Sequence, residues 1–178
     1  MKGVPVSVKV LYQGKFQRFV REEGWEFLER LHEGGIVAVL AVTADQKIVL
    51  VEQFRIPVRK NVIELPAGVS NDVPEHSNET LVQAAHRELL EETGYQAEGM
   101  IPVLTGPVAA ASSRELMTFF KTTRVRKVAA GGGDEQEKIT VHEIPLDGIR
   151  GWLAKKREEG FYVDPKIYIG LFLLMDGK

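Results

Sequence analysis

Apolar and polar residues alternate through Val4, Val6, Val8 and Val10 and again over Phe16–Val20, with Gln13-Gly14 between the runs. A period of two on either side of a glycine turn predicts a β-hairpin. A second turn at Arg21-Glu22-Glu23-Gly24 leads into Trp25–Arg30, which reads as a third strand. Residues 1–33 are therefore expected to form a small antiparallel β unit, separated by Gly34-Gly35 from a larger domain over 34–178.

Beyond Gly35 the pattern changes. Ile36–Thr43 and Ile48–Gln53 are nearly continuous β-branched runs, as in strands covered on both faces, and the four residues 44–47 between them predict a hairpin. Ile101–Leu104 and Met117–Val128 read as strands around a loop at 105–115, and Ile139–Ile144 as another strand. Two helices end the chain. In the first, Asp147 is the expected N-cap and Ile149, Trp152, Leu153 and Lys156 share a face; the second opens with Asp164-Pro165, a cap followed by proline at the first helical position. Strands interleaved with a few helices give an α/β (α+β) class, a mixed sheet carrying helices on its faces.

The segment NETLVQAAHRELLEETG (78–94) is rich in helix formers and stops at Gly94, a suitable left-handed C-cap. At about 100° per residue, Glu88 and Glu92 fall about 40° apart and Glu91 about 60° to the other side of Glu88. Three carboxylates thus share one sector, beside the small residues Ala84 and Ala85. Lysine partners four residues on are absent, and the acids occupy the last two turns, where the helix dipole disfavours anions. Arg87 alone can offset them. A bound divalent cation would relieve this repulsion.

Charge changes the picture once it is divided. The formal total of −2 conceals residues 64–92, with seven acids and one base, inside a chain that is otherwise mildly basic. No cysteine is present, which excludes thiolate metal sites and disulfides. Oxygen ligands favour Mg²⁺ or Mn²⁺ over zinc, and Mg²⁺ with few protein ligands is usually completed by substrate phosphates. The pattern points to metal-assisted chemistry on a pyrophosphate. A dense basic stripe for nucleic acid is missing, and the apolar runs fall short of the ~20 residues of a membrane helix. The expectation is a cytoplasmic protein that binds neither nucleic acid nor membrane.

The order Gly68…Glu79-x7-Arg87-Glu88-Leu89-x-Glu91-Glu92-x-Gly94-Tyr95 resembles the Nudix box, GX5EX7REUXEEXGU. Ten residues, rather than five, separate Gly68 from Glu79, and Asn78 stands where a glycine commonly precedes the first glutamate. The resemblance implies an α/β/α sandwich with Mg²⁺ or Mn²⁺ held by Glu88, Glu91, Glu92 and the Ala67 carbonyl. It also implies an Arg87–Glu79 pair that orients these ligands, with Gly68 and Gly94 as structural positions. The flanking segments Trp25–Arg30, Leu50–Arg55 and Glu64-Leu65-Pro66-Ala67-Gly68 resemble the branch of ADP-ribose pyrophosphatases and related nucleoside-diphosphate-sugar and GDP-mannose hydrolases. That branch implies a homodimer through the N-terminal β unit. It further implies Trp25 stacking on a nucleobase, Arg55 gripping a phosphate and Glu64 on the substrate side. Phe54, beside Arg55, is expected in the core. Glu137, with Glu135 second, is expected to supply a loop carboxylate to the metals or the attacking water, after a flexible Gly131–Gly133 hinge. Two alternatives accompany this reading: a nucleotide-sugar sensor without catalysis, and hydrolysis of dinucleoside polyphosphates or oxidised nucleotides.

Overall fold

A computed structural model describes residues 8–31, 34–71, 78–133 and 138–175. The N-terminal alternation forms β1 (Lys9–Gln13), β2 (Gln17–Glu22) and β3 (Trp25–Arg30), an antiparallel sheet in that order. The second turn is tighter than the pattern suggests, with only Glu23 and Gly24 between the strands, both at positive φ. This sheet is tied to the body of its own chain through β3. The Leu28 amide donates to the Ser112 carbonyl at 2.9 Å, and the Arg114 amide donates to that of Leu28 at 3.0 Å.

The body is built around β4 (Ile36–Ala41) and β5 (Lys47–Arg55). The predicted hairpin between them is only a turn. The Thr43 amide reaches the Lys47 carbonyl at 2.9 Å, one bridge joins Val42 to Ile48, and the strands then separate into different sheets. Both edges of β4 are already occupied. One is paired antiparallel with β7 (Ala67–Val69), the other parallel with β10 (Leu116–Thr122), whose far edge takes β9 (Ile101–Pro107). β5 instead joins β6 (Lys60–Glu64), β12 (Ile139–Pro145) and β13 (Tyr162–Val163) in the order β12-β5-β6-β13, with β6 and β13 parallel.

Helices cover both faces, so β4 is apolar on both. Val37, Val39 and Ala41 share a core with Ala84, Ala85 and Leu89 of α1 (Leu81–Thr93). Ala38 and Leu40 point the other way, into a core with Ile149 and Leu153 of α2 (Ile149–Glu158) and Ile167 of α3 (Lys166–Met175). All five β4 residues are fully buried, which explains the unbroken hydrophobic run. The architecture is an α/β/α sandwich with mixed sheets and a separate N-terminal antiparallel sheet.

Several local expectations are corrected. The run Met117–Val128 is two strands, because after the break at Thr123-Arg124 the chain forms β11 (Val125–Lys127) against β8 (Tyr95–Ala97). The strand from Ile101 runs on to Pro107, shortening the loop that follows. Gly148, not Asp147, caps α2, with no side-chain cap bond. Phe54 is exposed rather than core, since strand alternation turns Gln53 inward and Phe54 out. Asp164 does cap α3, its Oδ1 accepting from the Lys166 amide at 2.8 Å.

Candidate active site

The helix that carries the acids is defined at both ends. Thr80 is its N-cap in a capping box with Gln83: the Gln83 amide donates to Thr80 Oγ1 at 3.3 Å and the Thr80 amide to Gln83 Oε1 at 2.8 Å. Gly94 closes it in the left-handed region at φ 71°, its amide donating to Leu90 O at 2.8 Å. Asn78 takes φ 74°, so it does adopt the conformation that glycine would supply at this point. The Glu79 amide donates to Asn71 Oδ1 at 2.8 Å. This bond joins the two sides of the extended loop; most of the insertion, 72–77, lies outside the described residues.

Because Ala84 and Ala85 let α1 lie close to the sheet, β7 passes directly over its carboxylates. The Ala67 amide donates to Glu92 Oε2 at 3.0 Å. A Cβ on Gly68 would stand 1.9 Å from Glu88 Oε1, so no other residue allows this approach without moving the carboxylate. Glu88 and Glu92 are buried, whereas the Glu91 side chain is half-exposed.

Arg87 organises the group. Its Nε and Nη2 hold both oxygens of Glu79 at 2.9 and 3.0 Å; Nη1 donates to Glu88 Oε1 at 2.8 Å and Glu91 Oε2 at 3.1 Å, and Nη2 also donates to Val69 O at 3.1 Å. Burial acts to lower the guanidinium's pKa, but the Glu79 bonds, the Glu88 charge and the Glu91 bond outweigh it and raise it above its ordinary value. Arg87 therefore stays charged and ties β7, the segment before α1 and the helix itself into one unit.

This cluster lines a cavity of about 440 Å³. The helix contributes Glu88, Glu91 and Glu92; β5, β6 and the start of α3 contribute Arg55, Glu64 and Lys166. Arg55 Nε donates to Glu64 Oε2 at 2.7 Å, so these two expected substrate-side residues do meet there. A larger cavity, about 800 Å³, opens at the other end of β4 and β10, but of its two carboxylates, Asp45 and Asp147, the first is paired with Lys47 at 2.6 Å, and it holds no acidic cluster among the described residues.

The donors suit a hard divalent cation, being carboxylate oxygens around a cleft kept open by the missing Cβ of Gly68. Among the described residues, no three acidic or histidine side chains converge on one point as they stand. Glu88 and Glu91 turn onto Arg87, and Glu92 turns onto the Ala67 amide. Glu91, the exposed member, has room to swing away.

Trp25 is not part of this cavity. It is 64% exposed and lines a separate pocket of about 300 Å³ with Phe27, Ala110 and Arg114. Glu135 and Glu137 lie outside the described residues. The expected glycine hinge before them is anchored: Gly132 and Gly133 amides donate to the Glu92 and Glu91 carbonyls at 2.9 and 3.1 Å. Gly131 lies so close to Thr93 and Gly94 that a Cβ would meet the Thr93 carbonyl carbon at 2.4 Å. The three glycines thus cap the acidic helix. Lys166 was not foreseen; its signal is a lysine in a helix's first turn, where the dipole disfavours cations.

Similarity to known proteins agrees with the geometry. A bacterial methanol dehydrogenase activator from Bacillus methanolicus is 35% identical over 130 residues, covering 72% of this chain and 68% of the relative. An ADP-ribose pyrophosphatase from Bacillus subtilis is 34% identical over 116 residues, covering 64% and 59%, and a GDP-mannose pyrophosphatase from an Enterobacter species is 31% identical over 122 residues, covering 64% and 60%. The chain therefore spans about three-fifths of the length of these two pyrophosphatases. The crystal structure of an ADP compounds hydrolase superposes with a TM-score of 0.72 over 96% of this chain and 91% of its own, at 17% identity, which establishes a shared fold. The profile of the NUDIX domain matches residues 33–162, and the chain belongs to the Nudix family of hydrolases.

Proposed function

We propose that this protein hydrolyses the pyrophosphate bond of a nucleoside diphosphate sugar, with ADP-ribose the first candidate and GDP-mannose the next, releasing a nucleoside monophosphate and a sugar phosphate. The observation that carries the reading is the Arg87-centred carboxylate cluster on the wall of a cavity that also presents Arg55. The names of the pyrophosphatase relatives support the substrate class.

In this reading Glu88, Glu91 and Glu92 hold Mg²⁺ or Mn²⁺, with the Ala67 carbonyl beside them. When bound, such ions neutralise pyrophosphate charge and make water a stronger nucleophile. The protein's part is positioning. Arg87 keeps Glu88 and Glu91 side by side, Glu79 fixes Arg87 at two points, and Glu64 aims Arg55. Glu137, or Glu135 in its place, takes the proton of the attacking water. Anchoring of Gly132 and Gly133 to the end of α1 supports this, since the segment carrying both glutamates then leaves from beside the cluster. The N-terminal sheet makes a homodimer, in which the exposed Trp25 stacks on the base of a substrate held by the partner; its 64% exposure in the single chain is in keeping with that role. The chain acts in the cytoplasm.

The test is a panel of nucleoside diphosphate sugars, dinucleoside polyphosphates and oxidised nucleotides with Mg²⁺ or Mn²⁺, assayed for both phosphorylated products. Hydrolysis of a nucleotide sugar is expected. Glu92→Gln keeps an acceptor for the Ala67 amide yet should lower turnover by at least about 100-fold with the fold intact. Binding without turnover by the wild-type chain would instead make it a sensor.

A further inference from the structure

The cavity is lined by cations as well as acids, and its least expected member is Lys166. This residue begins α3, where the helix dipole disfavours a positive charge, so something must hold it there. That something is Asp164, which is 9% exposed. One of its oxygens caps the helix by accepting from the Lys166 amide at 2.8 Å, and the other pairs with the Lys166 ammonium. A single buried carboxylate thus fixes both the start of the helix and the position of the cation. Arg55 is held in the same manner, by Glu64 at 2.7 Å, on a neighbouring strand. Both cations line the cavity that Glu88, Glu91 and Glu92 also line.

A lysine that served only to pair with Asp164 could equally point into open solvent. Here its side chain is only 29% exposed and forms part of the cavity wall. We infer that Lys166 binds a phosphate of the substrate, acting with Arg55 as a pre-set pair of cations in the cavity that the carboxylates of α1 also line. The ligand's identity rests on the nucleotide-sugar reading; the placement of the anion does not. The ammonium donates charge-assisted hydrogen bonds to phosphate oxygens, and Asp164 holds it ready so that little side-chain entropy is lost on binding.

Lys166→Met and Lys166→Arg separate charge from packing. Two measurements are made on each: the Kd for ADP-ribose by calorimetry in EDTA, and KM and kcat with Mg²⁺ on the substrate that is turned over. Lys166→Met should weaken Kd and raise KM by about 10-fold or more with kcat within about 3-fold, while Lys166→Arg stays within about 3-fold of wild type. Asp164 still caps α3 in each variant, and any fall in melting temperature from its lost ion pair is read separately from Kd and KM; Lys166→Gln replaces the Met variant if that one fails to fold. Where no heat is seen in EDTA for the wild type, the KM result alone decides. Wild-type Kd and KM in Lys166→Met, or equal losses in the Met and Arg variants, would overturn the inference. Hydrolysis of a nucleotide sugar together with an unaffected Lys166→Met refutes only this inference. Lys166-dependent binding of ADP-ribose without any hydrolysis refutes only the hydrolase reading.

Discussion

Two arginines in this molecule each gather several carboxylates, and they do so in different surroundings. Arg87 holds Glu79, Glu88 and Glu91 with its side chain 15% exposed, next to two acids that are themselves nearly buried. Arg114 holds Glu22 and Glu29 while lying 4.8 Å over the Phe27 ring, with its side chain 49% exposed. Arg87 has three carboxylate partners and Arg114 two. The difference is the solvent at the cation: water reaches Arg114, and the buried Glu29 also has Arg18, whereas water has little access to Arg87 or to its partners Glu79 and Glu88. A buried ion cluster is therefore organised by its central cation, whereas an exposed one largely decorates a contact already made by backbone bonds. The buried cluster sits at the cavity; the exposed one fastens the N-terminal sheet to the loop after β9.

The sharpest way to break this comparison is to remove the buried cation. Arg87→Ala takes both guanidinium bonds from Glu79 and the shared charge from Glu88, and it should cost about 3–5 kcal/mol of stability. Urea unfolding measures this directly. A loss below 1 kcal/mol would mean that the cluster is not held by its central arginine. Because the lost charge leaves like-charged carboxylates facing one another, a divalent cation should recover part of the stability in this variant.

A smaller perturbation reaches the same cluster from the other side. Gly68→Ala inserts a methyl group into space occupied by the Glu88 carboxylate. The carboxylate end can shift, so the fold should survive, but the ligand geometry should not. Activity should fall by about 100-fold, as expected for a displacement of about 1 Å at a reacting site. Wild-type turnover would show that Glu88 need not be where β7 now holds it.

The contrast also explains what could be read from the sequence. The α1 cluster was legible because everything that builds it is local: helix periodicity gathers the acids, Gly94 ends the helix, and Arg87 lies one turn from Glu91. The family resemblance marks Gly68 as a structural position, but its close approach to Glu88 is a contact between distant segments that no periodicity reveals. What was not legible depends on contacts between distant segments. Strand pattern shows that β4 and β5 are buried, but not that β7 and β10 claim both edges of β4 and send β5 elsewhere. Three consecutive glycines read as a hinge, yet tertiary packing uses them to cap the end of α1. Lys166 enters the cavity because α3 starts beside β6 and β13, a placement that no local signal encodes.

The smallest effect belongs to the exposed arginine, and it tests the other half of the comparison. Arg114→Ala removes two ion pairs, yet Glu29 keeps Arg18, whose Nε lies 2.5 Å from Glu29 Oε1, and Glu22 turns to water. The backbone bonds between β3 and the loop at Ser112 and Arg114 do not involve the side chain and remain. The expected loss is therefore at most about 1 kcal/mol, for two side-chain bonds deleted against five at Arg87. It should shrink further in 1 M salt, where the screening length falls to about 3 Å, whereas the Arg87→Ala loss should persist. Equal losses at the two sites, or equal sensitivity to salt, would show that burial is not what separates them.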